Sequence, residues 1–449
     1  MADLAIMLGF VFSLICLGFV LLHSVHVGRL TLLDWAVMGM GGVYGLGWSL
    51  VAGVTRAGGD PVWEKWVLPN ADYYPLHTLC ALVLLGSMSL GWLFFGALRP
   101  RRHRVSSSSR ISSNLSRLTT VMWILLVIAV AAQWLYTYAY GGFGGVLEYS
   151  TAIRSASNTV ANRLSFLRPF GGLALFASFG FFGLWLSRCK RLAVGLGLCF
   201  SVPFALYVLY TWRGRIAFLV YVVTFFLGLL LSRRPRPLAL LVGAGTALIV
   251  IVVGAYYLSI WLNLKSDSSL VVFLTRELSF PFVSFFAQLD SGQNLTRLFS
   301  DFLVAPLYLL PSSLWSRWVE NVSQVNTALI MGAPKGQQGV TGEIPVDLLT
   351  LGLMQLSVFG IPVVGGLFGI LLRTMQSLLD RVRCSGVRAV FEAYLTLNVA
   401  VLGLFYAQPA LVVEWNFALL VTAVAIALYL RMPRLRWRGG ERLVMLRRQ

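Results

Sequence analysis

The chain has 449 residues, of which 58% are hydrophobic and only 12% are charged, and its mean hydropathy is +0.78. Soluble domains carry about 25% charged residues, so this composition cannot cover a soluble core with polar surface and excludes a water-soluble protein. The formal net charge of +19 is spread over short segments between apolar runs. A nucleic-acid-binding protein would collect it on one folded face, so that class is excluded as well.

Apolar runs of about 20 residues, the length that crosses a bilayer as a helix, divide the chain. They predict an all-α polytopic membrane protein with about 11 transmembrane helices (10–12), formed from the single unit 1–449. The spans are expected near residues 4–24, 31–54, 75–97, 119–140, 169–187, 192–211, 216–231, 238–259, 347–372, 389–406 and 410–430. Eleven spans place the two termini on opposite sides. The first residues lack the basic segment of a secretory signal, so the first span is expected to be retained.

The connecting segments alternate between the two sides of the membrane, and most basic residues lie in only one of these two sets. One set holds Arg29, the segment 98–118, the pairs Arg188/Arg191, Arg233/Arg236 and Arg373/Arg388, and the tail 431–449. Because positive charge concentrates on the cytoplasmic side of membrane proteins, this set is predicted to be cytoplasmic, with the amino terminus outside and the carboxyl terminus inside. The serine- and arginine-rich segment 98–118 is predicted to be a solvated linker, and 431–449 a basic cytoplasmic tail.

Two outer segments are long, 141–168 and 260–346. Within the second, Leu270–Leu289 and Leu295–Leu310 mix apolar and polar residues at helical spacing. This predicts amphipathic helices that lie at the interface or fold back into the protein. The glycine- and amide-rich stretch from Gly332 to Glu343 is typical of a mobile binding loop. A cover of this size is expected where something is bound at the outer face.

Arg213 and Arg215 lie in the short outer gap Thr211-Trp-Arg-Gly-Arg between two apolar runs. An arginine there opposes the bias toward internal positive charge and costs free energy unless it has an anionic partner. Two planar guanidinium groups separated by one glycine suit a phosphate or pyrophosphate. The structural alternative is that these side chains only anchor helix ends at the lipid headgroups.

Further outer arginines are candidates for binding an anionic substrate or for anchoring. Arg154, Arg163 and Arg168 lie in the segment 141–168, and Arg276 lies in an apolar run beside Glu277, with which it could form a structural ion pair. Two others, Arg297 and Arg317, are expected to be interfacial anchors.

Outer carboxylates are candidates for a general base. Glu343 and Asp347 are four residues apart at the entry to a span, so on a helix they would share one face, and Pro345 is compatible with a helix start. Partial burial would raise a carboxyl pKa toward what a general base needs. Alternatively, Glu343 stabilises the amino end of the helix electrostatically. Glu414 is expected to be buried near the outer face, where an arginine could pair with it.

Several kinds of site are not indicated by the sequence. The four histidines are scattered, and the cysteines fall in spans or on the inner side, so no zinc site and no external disulfide is expected. There is no phosphate-binding loop, no serine nucleophile elbow and no DxD-type carboxylate pair, which disfavours an enzyme with an external nucleotide substrate. No metal or other cofactor is predicted.

At four places the chain resembles the Wzy-type oligosaccharide repeat-unit polymerases of bacterial inner membranes, the group of the O-antigen and enterobacterial-common-antigen polymerases. The places are Thr211-Trp-Arg-Gly-Arg-Ile-Ala-Phe, Leu274-Thr-Arg-Glu, Leu310-Pro-Ser-Ser-Leu-Trp and the apolar, glycine-bearing span from Gly352 to Gly369. Together with the span count and the one large outer loop, the resemblance covers roughly residues 140–430.

The resemblance implies a lipid-linked glycosyltransferase of the inner membrane, with its outer side in the periplasm and with no nucleotide site. The implied donor is a glycan on undecaprenyl pyrophosphate, and the acceptor is a sugar hydroxyl of a second lipid-linked unit. Arg213 and Arg276 map onto arginines expected to hold the pyrophosphate, with Arg215 as a near-equivalent. Glu343, followed by Asp347, is the candidate for accepting the hydroxyl proton. The implied partners are the lipid bilayer and a chain-length regulator and flippase of the same pathway.

Two alternatives stay open at this point. A flippase or exporter of lipid-linked glycan would predict charged residues along a path through several spans, and here the spans hold few ionisable groups. An O-antigen-ligase-like transferase would use a non-identical acceptor. The turn Tyr406-Ala-Gln-Pro lacks the arginine that relatives carry near there, and no outer histidine is available for base catalysis, which weakens the ligase interpretation.

Overall fold

The structure is a computed structural model of the chain. It describes residues 2–58, 73–97, 111–155, 160–187, 191–212, 214–233, 237–261, 269–291, 296–310, 314, 318–340, 342–382 and 384–431. These residues are overwhelmingly helical, and no β-strand occurs among them. In the part described, nine helices are long and apolar enough to cross a membrane, and shorter apolar helices accompany them. The chain is therefore an all-α polytopic membrane protein.

The helices of the first half coincide with the predicted spans. They are α1 (Ala2–Val27), α2 (Leu32–Arg56), α3 (Tyr74–Ala97), α4 (Ile111–Tyr138), α5 (Gly142–Ser155), α6 (Leu173–Leu186, preceded by the 3-10 helix Ser165–Gly172), α7 (Leu192–Trp212), α8 (Arg215–Ser232) and α9 (Pro237–Trp261). Helix α5 lies in the segment predicted to be outside. Helix α4 begins at Ile111, so the end of the segment predicted as a linker is helical, and residues 98–110 lie outside the described part.

The second half contains the large predicted outer segment and the last spans. Its helices are α10 (Leu270–Asp290), α11 (Ser300–Val304, continued by the 3-10 helix Ala305–Leu309), α12 (Val322–Met331), α13 (Leu348–Leu356), α14 (Gly360–Leu379), α15 (Ser385–Phe405) and α16 (Pro409–Arg431). The helix predicted over Leu270–Leu289 is confirmed. The helix predicted over Leu295–Leu310 is shorter than expected, because the backbone at Leu298 and Phe299 is left-handed (φ 47° and 61°). The tail 431–449 is described only at Arg431.

Contacts between helices fix the direction in which each crosses the bundle. Gly96, near the end of α3, lies against Arg373 in the second half of α14, so these two helices run the same way. Leu230, near the end of α8, lies against Gly243 near the start of α9, so those two run in opposite directions. We name the two ends of the bundle accordingly. The Arg168 face holds Arg56, Tyr74, Tyr138, Trp212 and Tyr406, and the Asp380 face holds Arg29, Leu186, Ser232, Asp380 and Ser385.

Helix α10 enters and leaves the bundle at the Arg168 face, although its length and composition alone would let it cross a membrane. The ring of Phe286 lies 5.9 Å from that of Tyr74, the first residue of α3, and the ring of Phe280 lies 5.5 Å from that of Tyr406. Since α9 ends at this face and α14 departs from it, α10 does not change sides. It folds back into the protein, which is one of the two placements that the sequence left open.

The Asp380 face carries an ion pair between two segments predicted to lie on the same side. The Arg29 guanidinium donates to both carboxylate oxygens of Asp380 at 2.9 and 2.8 Å. This hydrogen-bonded carboxylate raises the pKa of Arg29 above its ordinary value, since it stabilises the charged form. The pair joins the start of α2 to the end of α14, in agreement with the charge pattern that grouped them.

Candidate active site

Arg168 lies where four elements meet at the Arg168 face. It belongs to the 3-10 helix that leads into α6, and the next turn contains Gly172. A Cβ at Gly172 would lie 3.2 Å from the ring of Trp212 on α7 and 3.3 Å from Ala418 on α16. Glycine therefore favours this close approach, since a larger residue would force its neighbours to shift. It brings Arg168 to the junction with α7 and α16, where Tyr136 of α4 also interacts with it electrostatically.

Glu414, in the first turns of α16, faces the same junction. It interacts electrostatically with Arg168, Glu343 and Lys335, and many protein atoms surround it. Its side chain is nevertheless exposed. The expectation of a buried Glu414 is therefore wrong. Among the described residues it forms no direct ion pair with Arg168, so the two opposite charges interact electrostatically without direct contact.

Glu343 interacts electrostatically with Glu414, but it already has an ion-pair partner in Lys335. Its Oε1 is 3.9 Å from Lys335 Nζ, and the two side chains are 26% and 24% exposed. Tyr308, in the 3-10 helix that continues α11, also interacts electrostatically with Glu343. The site thus combines Arg168, the segment 308–343 and Glu414, which are far apart along the chain.

The backbone next to Glu343 is anchored, although the stretch from Gly332 onward is irregular as predicted. The N–H of Ile344 donates to Thr327 Oγ1 at 2.8 Å, and its carbonyl accepts from Asn326 Nδ2 at 3.2 Å. Both partners belong to α12. Glu343 is therefore held against a helix at the end of the loop.

Asp347 is buried and caps a helix. The Tyr44 hydroxyl donates to Asp347 Oδ2 at 2.5 Å, and the N–H groups of Leu349 and Thr350 donate to its carboxylate at 3.2 and 3.3 Å. The side chain is only 1% exposed. Burial, partly offset by these hydrogen bonds, raises the pKa of Asp347 to about 6. A substrate bound near Arg168 cannot reach this buried carboxylate unless the structure rearranges.

The predicted helical pairing of Glu343 and Asp347 is wrong. Helix α13 begins at Leu348, and the residues before it are not helical. The anchored backbone of Ile344 and a hydrogen bond from Ala407 N to Val346 O (2.9 Å) hold this stretch extended. The capping role considered for Glu343 belongs to Asp347, which sits at the N-cap.

Arg297 is a structural residue and not the lipid anchor that was expected. Its Nε and Nη2 atoms donate to the carboxylate of Asp301 at 2.8 and 2.9 Å, with side-chain exposures of 17% and 5%. Gln355 Nε2 donates to the same carboxylate at 2.7 Å. This network ties the segment that carries Tyr308 to the end of α13, so it determines the position of one wall of the site.

The remaining predicted arginines are only partly described. Arg163 is exposed in the non-helical stretch before the 3-10 helix of Arg168, and Arg276 is exposed on α10, four residues before Phe280. Arg215 is the first residue of α8 and Arg154 is near the end of α5, but both side chains, like all of Arg213 and Arg317, lie outside the described residues.

Trp212, which precedes Arg213, is part of the same junction. Its indole Nε1 is buried and has no hydrogen-bond partner in the described part of the chain. A buried N–H without an acceptor is costly, so an acceptor from a bound group or from solvent would stabilise this wall. Trp212 packs against Gly172, and Arg213 therefore follows directly on a residue of the Arg168 junction.

Little in the sequence indicated the role of Lys335, Tyr308 and Glu414. Each lies far from Arg168 along the chain, and no motif marks it. The usable signal was chemical: Glu414 is a lone carboxylate at the predicted outer end of an apolar span, where an unpaired charge is costly.

Comparisons of the chain with models of known protein families, with curated proteins and with solved structures found no match. The functional interpretation therefore depends on the residues of the site and on the resemblance of its short motifs.

Proposed function

We propose that the protein polymerises oligosaccharide repeat units carried on undecaprenyl pyrophosphate, at the periplasmic side of a bacterial inner membrane. In this proposal the Arg168 face is the periplasmic side. The observation that carries the proposal is the cluster of charges at this face, where Arg168, Lys335 and Glu343 lie within electrostatic reach of Glu414. Basic groups for an anionic leaving group and carboxylates for a sugar hydroxyl are the two requirements of glycosyl transfer from such a donor.

The chemistry needs neither a nucleotide nor a metal ion in this proposal. The acceptor hydroxyl oxygen forms a bond to the anomeric carbon of the donor, and the bond from that carbon to the pyrophosphate oxygen breaks. The leaving pyrophosphate keeps the electron pair, and arginines stabilise the negative charge that develops on it. Arg168 is supported as one of these groups by its position, and Arg213 and Arg276 by the motif resemblance.

The composition of the site also bears on the transport alternative. The charged residues described above gather at one end of the bundle, and the ion pair of Arg29 with Asp380 lies at the other end. A transporter of a charged headgroup would be expected to line a path between the two ends. This distribution favours catalysis at one face, and transport is kept as an outcome of the test.

The test is reconstitution of the purified protein in liposomes that contain lipid-pyrophosphate-linked repeat units. A polymerase lengthens the glycan, which a gel of the extracted lipid-linked products measures, whereas a transporter only moves the unit across the bilayer. Arg168→Ala should abolish lengthening. The matched control is Arg56→Ala, because Arg56 is an exposed arginine of the same face that pairs with Asp3. If the inserted wild-type protein leaves the glycan unchanged in length, the proposed function is wrong.

A further inference from the structure

Three candidate carboxylates lie at or near this cluster of charges, and they differ in the hydrogen bonds and ion pairs that they already form. Asp347 is 1% exposed and accepts hydrogen bonds from Tyr44 and from two backbone N–H groups. Glu343 is already engaged by Lys335, whose Nζ lies 3.9 Å from its Oε1. Only Glu414 is both exposed and without a hydrogen bond or ion pair among the described residues.

We infer that Glu414 is the general base of the transfer, and that it accepts the proton of the acceptor hydroxyl while the leaving group is held at Arg168. This inference rests on the proposed function and adds to it a residue that the motif resemblance did not include. Gly172 lies four residues after Arg168 and Ala418 lies four residues after Glu414, and a Cβ at Gly172 would be 3.3 Å from the Cβ of Ala418. A cationic group for the leaving pyrophosphate and a base for the acceptor hydroxyl at one face match the two ends of the bond exchange.

The proton balance follows from this placement. As the new carbon–oxygen bond forms, the hydroxyl proton moves to the Glu414 carboxylate, and the electron pair of the broken bond leaves with the pyrophosphate. Glu414 returns the proton to solvent, to which its exposed side chain has access.

The experiment compares Glu414→Gln, Glu414→Asp and Asp290→Asn in the reconstituted polymerisation assay. General-base catalysis contributes about 10²- to 10⁴-fold, so Glu414→Gln should lower kcat at least about 100-fold and leave the donor KM within about 3-fold. Glu414→Asp should retain intermediate activity. Asp290→Asn is the matched control, because Asp290 is an exposed acid at the end of α10. A wild-type rate profile that rises with pH should become flat in Glu414→Gln.

Two results would overturn the inference while the proposed function stands. A Glu414→Gln variant with the kcat and pH profile of the wild type would remove Glu414 from proton transfer. A variant that instead raises the donor KM, with kcat maintained, would make Glu414 a positioning residue for the donor. Absence of lengthening by the wild-type protein is a different result, since it refutes the proposed function itself. Circular dichroism and thermal melting of each variant establish that it is folded.

Discussion

Replacing Asp347 separates its structural role from the catalytic role that the sequence suggested. Its carboxylate is surrounded by Tyr44, Leu349 and Thr350 and is 1% exposed. Asn at this position would keep an acceptor for the helix N–H groups, since Asn is as good an N-cap as Asp. Ala would remove that acceptor and leave the Tyr44 hydroxyl buried without a partner.

The expected magnitudes follow from these contacts. Loss of the N-cap costs about 1 kcal/mol, and an unsatisfied buried hydroxyl costs about 1–3 kcal/mol. We therefore expect Asp347→Ala to be less stable than Asp347→Asn by about 2–4 kcal/mol, taken from the same two effects. Both variants remove the charge, so the comparison isolates the hydrogen bonds. If Tyr44→Phe is combined with Asp347→Ala, the part due to the orphaned hydroxyl should disappear.

The wild-type protein should also show a pH dependence that Asp347→Asn lacks. The pKa of this carboxyl is raised from 3.8 to about 6 in the folded protein, so the native state binds more protons than the unfolded state between these values. Stability is then lost as pH rises through this window. The full effect is about 3 kcal/mol, of which about 1.4 kcal/mol is regained between pH 7.5 and pH 5.

The assay is thermal unfolding in detergent at pH 5 and pH 7.5 for the wild type and both variants, together with polymerisation activity. Subtracting Asp347→Asn from the wild type cancels the titration of all other groups. We expect Asp347→Asn to retain activity within a few-fold. Equal stabilities of the Asn and Ala variants would refute the capping role, and a complete loss of activity in a stable Asp347→Asn protein would restore Asp347 to the catalytic site.

Four further predictions address the residues at and around the site. Arg297→Ala should destabilise the protein by about 3 kcal/mol, because it leaves the buried Asp301 carboxylate without its ion-pair partner; an unchanged melting temperature would return Arg297 to the role of a lipid anchor. Arg168→Ala should lower kcat/KM about 100-fold with an unchanged melting temperature, and normal chain lengths from this variant would exclude it from leaving-group stabilisation. Arg213→Ala should abolish long-chain polymer while the protein still inserts normally. Glu343→Gln should keep a kcat within about 10-fold of the wild type, since Lys335 already holds that carboxylate.

The transmembrane architecture could be predicted from the sequence because each span carries its own evidence. A run of about 20 apolar residues must form a helix in a bilayer, where every backbone polar group needs an internal partner. Ten of the eleven predicted spans coincide with helices for this reason. The span predicted over 347–372 is instead divided into α13 and α14, because the backbone at Ser357 has a positive φ of 53°. The fold-back of α10 was also predictable, since its polar residues recur at helical spacing, although its length alone would fit a crossing.

The candidate site was predictable only where a single residue was unusual for its place. Arg168 belonged to a recognisable group of outer arginines. Arg297 belonged to the same group, yet it forms a buried ion pair with Asp301, and nothing in its local sequence distinguishes the two outcomes. Both residues are arginines in outer segments, and only the packing of α11 against α13 separates their roles.

What the sequence by itself determined is the helical membrane fold and the set of charges from which a site could be built. Only the tertiary structure decided which of these charges meet. Helix α13 starts after Asp347 because the preceding chain is held extended by α12 and by Ala407, which separates Glu343 from Asp347. Gly172 lets α7 and α16 approach, which brings Glu414 opposite Arg168. Such long-range contacts depend on side-chain packing between distant segments, and local sequence patterns do not encode that packing.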